Sequence, residues 1–207
     1  MPEVSEIPES TAKNSQDAQL RSLLDDLISG DEERAETCVQ ELVKMEEDAL
    51  PQLLSLLYSS DPNHRWWATR ALACLKQPAA LDGLRRSLDD PDASVRQCAA
   101  LGLRLRPTAM AIPGLIQALG DSDRLVARLA GDALVAVGPA AVAPLSDATR
   151  SIHPGVRIEA TRSLAQIVNP QAVPALIAAL NDSSYLVQYW AEDGLNRLGI
   201  GMLFFKL

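Results

Sequence analysis

Trp66-Trp67 and the group Tyr185, Tyr189 and Trp190 hold five of the eight aromatic residues in a chain of 207. Large rings gathered in two places suggest recognition, because Trp and Tyr desolvate much area while keeping a polar handle. Arg70, Arg128 and Arg162 bring guanidinium forks able to grip carboxylates, and Gln97, Asp132 and Asp193 add polar partners. Cys38, Cys74 and Cys98, with His64 and His153, are the soft ligands a metal would need. There is no glycine-rich phosphate loop, no G-x-S-x-G elbow, and no Ser, His and Asp set whose spacing brings it together. The acid pairs Glu46-Glu47 and Asp89-Asp90 fall in turns and read as solubility and capping. The chemistry on offer is that of a binding surface.

What positions these residues is a repeat. Leu recurs at 42, 72, 103, 134, 164 and 195, every 30 or 31 residues. Four residues before each stands a small one: Cys38, Ala68, Ala99, Ala130, Ala160 and Ala191. Eleven before stands a short polar residue or its substitute: Asp31, Asp61, Asp92, Asp123, His153 and Ser184. A period of this length marks units that bury their apolar faces only against their neighbours. Within one unit, Ile112, Leu115, Ile116 and Leu119 follow helical spacing, and Gly120-Asp121-Ser122 turns the chain. Asp123 then caps a second helix with Val126, Ala130, Ala133, Leu134 and Val137 on one face. Gly138-Pro139 ends it. The prediction is an all-α solenoid of about six helical hairpins, with small residues letting helices approach closely.

On each second helix, positions two and six after the Val126 column point away from the buried face. They predict two exposed stripes. One is Glu36, Trp66, Gln97, Arg128, Ile158 and Tyr189; the other is Gln40, Arg70, Leu101, Asp132, Arg162 and Asp193. The binding residues expected from these stripes are Trp66, Arg70, Gln97, Arg128, Asp132, Arg162, Tyr189 and Asp193, with Trp67, Tyr185 and Trp190 as secondary aromatics. Trp67 and Trp190, turned about 100° from their neighbours, also suit wedges between hairpins. His64 reads as structural, and His153 as a cap whose ring nitrogen accepts a backbone bond. Cys38 and Cys98 lie two units apart. Cys74 and Cys98 are offset by about 10 Å along their helices. No metal centre is expected within the chain.

The net charge of −8 turns expectation away from nucleic acid, whose phosphates call for a positive field. Residues 1–16 read as a disordered acidic tail, 17–199 as the solenoid, and 200–207 as an apolar lid or exposed tail. No run approaches the roughly 18 apolar residues of a membrane span, and three sparse cysteines suit a reducing, cytoplasmic setting.

The stretches Asp90-Pro91-Asp92-Ala93-Ser94-Val95-Arg96 and His153-Pro154-Gly155-Val156-Arg157 resemble the D-P-x-V-R turn of HEAT repeats. The short period, and Arg65-Trp66-Trp67-Ala68, are similar to the subclass found in E/F-type phycobilin lyases and phycobilisome-degradation proteins. The Arg column departs from the pattern, reading Ala35, Arg65, Arg96, Ala127, Arg157 and Gln188. The resemblance implies that both stripes line a concave face. The paired His-Glu motifs of the HEAT-like iron enzyme deoxyhypusine hydroxylase are absent. The first expectation is a protein-binding scaffold without its own catalytic centre. The alternative implied by resemblance is a bilin-handling protein, a phycobilin lyase subunit or phycobilisome-degradation factor, with a phycobiliprotein as partner and Arg70 or Arg162 pairing the bilin propionates. A second alternative is an iron–sulfur assembly accessory using Cys74 or Cys98.

Overall fold

The computed structural model describes residues 9–200, with side chains from residue 13 onward. They form twelve α-helices joined by tight turns and three short 3-10 segments and, among the described residues, no strand. Their packing falls into two compact units, the first ending at Gly83 and the second beginning at Leu84. Such a division is physically open to a repeat array, in which each hairpin contacts only its neighbours.

The first unit holds α1 (Glu9–Leu27), α2 (Glu32–Lys44), α3 (Glu46–Leu56), α4 (Pro62–Leu72) and the start of α5 (Pro78–Ser87). α1 packs on α2, α3 on α4, and α2 on α4. α1 begins at Glu9, so residues 9–16, expected in the tail, are helical. They hold no proline or glycine to break a helix, and Gln16 Nε2 donates to Asp48 Oδ2 at 2.6 Å. The Glu46 carboxylate accepts the backbone N–H groups of Lys76 and Gln77, giving one of the turn acids a cap to hold.

The second unit runs through α6 (Ala93–Leu105), α7 (Ile112–Ala118), α8 (Arg124–Val137), α9 (Val142–Ala148), α10 (Pro154–Ile167), α11 (Val173–Ala179) and α12 (Tyr185–Arg197). α7, α9 and α11 pack on α8, α10 and α12, while α6, α8, α10 and α12 pack on one another in succession. This is the hairpin order that the sequence predicts. α7, α9 and α11 are only seven residues long, each entered through a 3-10 turn.

The Leu column from 42 to 195 is at most 2 % exposed, and every member of the small-residue column is buried. Asp31, Asp61, Asp92 and Asp123 accept backbone N–H groups from the first turns of α2, α4, α6 and α8. His153 and Ser184 occupy the same position without a side-chain bond. The ring acceptance expected of His153 does not occur; its own amide is taken by the Ser151 hydroxyl.

By length and composition alone, residues 124–148 could cross a membrane. The chain does not run straight there. Gly138, at φ 77°, takes a conformation few side chains tolerate, and a 3-10 turn reverses the path into α9. Val126, Ala130, Leu134 and Leu145 are buried against neighbouring helices.

Candidate binding cleft

The Arg column explains itself once the turns are in place. Arg96 grips Asp121 with two parallel bonds, Nε to Oδ2 at 2.7 Å and Nη2 to Oδ1 at 2.9 Å. Its Nη1 donates to the Asp90 and Pro91 carbonyls of its own turn. Arg157 repeats the arrangement on Asp182, at 2.7 and 3.0 Å, and on the Ser151 and Ile152 carbonyls. Arg65 also reaches the carbonyls of its turn, Ser59 and Ser60. Gln188 keeps one such bond, to the Asp182 carbonyl at 2.6 Å. The arginine is a staple that ties one turn to the next.

Both acids feel it. For Asp182 the Arg157 hydrogen bond comes first, and with the Ser184 amide it holds the carboxyl below the ordinary carboxylate value. Burial works to raise the Asp121 carboxyl, but the Arg96 bonds, the Asp123 amide and the Arg96 charge together outweigh it and lower the value.

At position 127 the staple is missing. Ala127 stands in the Arg column, and Ser151 stands where Asp121 and Asp182 stand in neighbouring turns. The equivalence is visible in the hydrogen bonds: all three accept the amide two residues on. Ala127 instead lies in the wall of an open cleft of 530 Å³, well within the ~300–1,000 Å³ usual for ligand sites. Leu119, Val156, Ile158 and Leu186 supply its apolar lining and Arg124 and His153 its basic groups. Gly155, also in the lining, would meet nothing within 4 Å if given a Cβ. In the first unit a smaller cleft of 310 Å³, lined by His64 and Trp67 among others, lies where Ala35 occupies the same column. The Ala35 and Ala127 units are also the two whose spacing to the next capping residue is 30 rather than 31.

The stripe residues meet different fates. Arg162, expected on the surface, is completely buried. Its Nε donates to Glu159 at 2.7 Å, Nη1 to Asp132 at 2.7 Å and Gln166 at 3.3 Å, and Nη2 to the Arg128 carbonyl at 3.1 Å. The hollow it enters exists because residue 131 is glycine; a Cβ there would lie 2.7 Å from Nη2. Arg128, Asp132 and Arg162 are thus brought together, but as a lock between α8 and α10. That arrangement leaves Arg162 unable to serve as a propionate partner. Arg70 pairs with Glu36 and lies 2.8 Å from Cys74 Sγ. Gln97 bonds the capping Asp123 at 3.1 Å, and Asp193 pairs along its own helix with Arg197 at 2.7 Å.

Trp66 and Trp67 are half-buried and meet edge to face, centroids 4.8 Å apart. Trp190 is half-buried against Tyr189, at 5.1 Å. Tyr185, Leu186 and Tyr189 remain open, at 77, 51 and 48 % exposure, on the first turns of α12 beside the cleft. Cys38 and Cys98 are buried, and burial pushes the Cys38 thiol up. Among the described residues no three His, Cys, Asp or Glu side chains converge as a ligand set. Arg124, Gly155 and Leu186 were missed by the stripe rule. The signal that marks them is the break in the Arg column.

Stacked hairpins that build a surface cleft from successive turns define an α-solenoid. A family model described as HEAT repeats matches residues 18–104 and 112–196. The chain belongs to the HEAT-repeat family. It is 35% identical over 111 residues to the phycocyanobilin lyase subunit beta of Nostoc sp. (strain PCC 7120), a match covering 53% of this chain and 54% of that protein. The chain therefore aligns with about half the length of this curated relative. Among solved structures it is similar to the complex of CpcE and CpcF of phycocyanin lyase from Nostoc sp. PCC7120, with a TM-score of 0.52 at 23% identity, covering 96% of this chain and 82% of that one. A designed armadillo repeat protein in complex with the peptide (KR)4 matches with a TM-score of 0.51 at 20% identity, covering 86% and 99%. At these identities the structures speak for the fold.

Proposed function

We propose that the chain is a protein-binding scaffold without a catalytic centre of its own, and that its second unit docks a partner at the starts of α8, α10 and α12. The observation that carries this is the 530 Å³ cleft at the missing staple, flanked by Tyr185, Leu186 and Tyr189. A partner side chain entering it would be desolvated on several sides, the setting in which anchors contribute most. Arg128 and Tyr189 keep the role the stripes suggested. Arg162, Asp132 and Asp193 support the surface through their ion pairs. Partners captured from the native source by the full chain, then measured again as purified proteins, give the test. Leu186→Ser and Tyr189→Ala should each weaken the purified complex about tenfold. Unchanged affinity in both would remove the cleft from the interface.

The likeness to a phycocyanobilin lyase subunit favours a second reading, in which the partner is a phycobiliprotein and the cleft handles an open-chain tetrapyrrole. Arg124 would then take the propionate-pairing part that Arg162 cannot. Mixing with phycocyanobilin should shift and sharpen the pigment's absorption, and Arg124→Ala should diminish the change. A spectrum identical to that of free pigment contradicts this reading.

A further inference from the structure

We infer that the cleft recognises a segment of the partner protein that carries an acidic side chain next to an aromatic or branched aliphatic one. This inference rests on the docking reading above and adds the chemistry of what is docked. Four ionisable groups line the cleft: Asp121, Arg124, His153 and Glu159. Both acids are already engaged, Asp121 by the two bonds from Arg96 and Glu159 by Arg162 Nε at 2.7 Å. The two bases are not. Neither Arg124 nor His153 has a side-chain hydrogen bond or ion pair among the described residues. The charge left uncompensated at the cleft is therefore positive, in a chain whose net charge is −8.

The neighbouring turns show what such a gap accepts. On either side a guanidinium and a carboxylate close it, Arg96 with Asp121 and Arg157 with Asp182. Here the chain supplies neither member at positions 127 and 151, yet it carries Arg124 one helical turn before Ala127, on the same face of α8. A carboxylate from outside can pair with Arg124 in the two-pronged manner the staples use. The apolar lining provides the other half of the site. Ile158 and Leu186 stand where a ring or branched chain can be covered, and glycine at 155 leaves the hollow open. A basic segment would meet the Arg124 guanidinium without compensation, so charge also selects against the wrong partner.

The test uses the full chain and an array of short synthetic peptides with a central Leu or Phe flanked either by Glu or by Lys. The Glu-flanked peptides should be retained and the Lys-flanked ones not. Arg124→Glu should reverse or abolish the preference, with about tenfold loss for the Glu-flanked set. Gly155→Leu fills the hollow from a helical position with open space around it, so it should abolish retention while leaving the thermal transition in place. Equal retention of both peptide sets, no retention of either, or a preference untouched by Arg124→Glu overturns the proposal. If the purified partner is lost with Leu186→Ser but bound normally by Arg124→Glu, the docking reading stands and the acidic chemistry falls.

Discussion

Arg162 shows how far a single residue can depart from its column. Helical periodicity places it with Arg70 and Asp193 on an outward stripe, but the side chain folds back into the hollow above Gly131 and is sealed there by Asp132, Glu159 and Gln166. Removing it would leave two carboxylates without their common partner. Arg162→Ala should cost about 3–5 kcal/mol, read as a lower urea midpoint; a loss under about 1 kcal/mol, the scale of an exposed pair, would contradict the buried lock. Val168 makes the opposite case. It ends α10 in the left-handed region, at φ 52° and ψ 51°, a conformation costing a β-branched residue about 1–2 kcal/mol. Val168→Asn relieves the strain and should raise Tm by roughly 2–4 °C. Neither feature is legible in the sequence. Whether a long side chain reaches out or folds back depends on the glycine of another helix, and the backbone angle of a loop valine carries no pattern of its own.

At the scale of helices and turns, far more is legible. Six leucines and six small residues mark the buried faces, and four aspartates mark helix starts that the structure caps. These follow because a periodic packing requirement writes itself into the sequence at the same period. The staple is legible only in part, as an Arg column with gaps, since its acid partners belong to the following turn. It has a pH signature. Asp121 and Asp182 have folded-state values below the ordinary one, so the unfolded chain binds their protons first as the pH falls. Their contribution is complete above about pH 4 and is lost as the pH drops through the lowered folded values. Asp182→Asn should cost roughly 2 kcal/mol near neutrality, and the gap from the parent chain should narrow toward pH 2–3. A gap that stays constant across the acid range would show that the pair does not titrate as described.

At the scale of the whole molecule, the family and hairpin order could be read from the sequence, while the cleft could not. A stripe rule looks for what is added to a repeat, such as an aromatic or a charge. The cleft lies where something is left out, with Ala127 in place of Arg and Gly155 in its wall beside the exposed Leu186. We propose the missing staple as the binding site. The double variant Ala127→Arg, Ser151→Asp restores the arrangement of the neighbouring turns and puts a long, paired side chain at the cleft wall formed by Ala127. Its affinity for the purified partner, measured by calorimetry beside its thermal transition, should fall at least about tenfold while Tm holds or rises. Undiminished affinity in a variant that folds normally would show that the partner binds elsewhere.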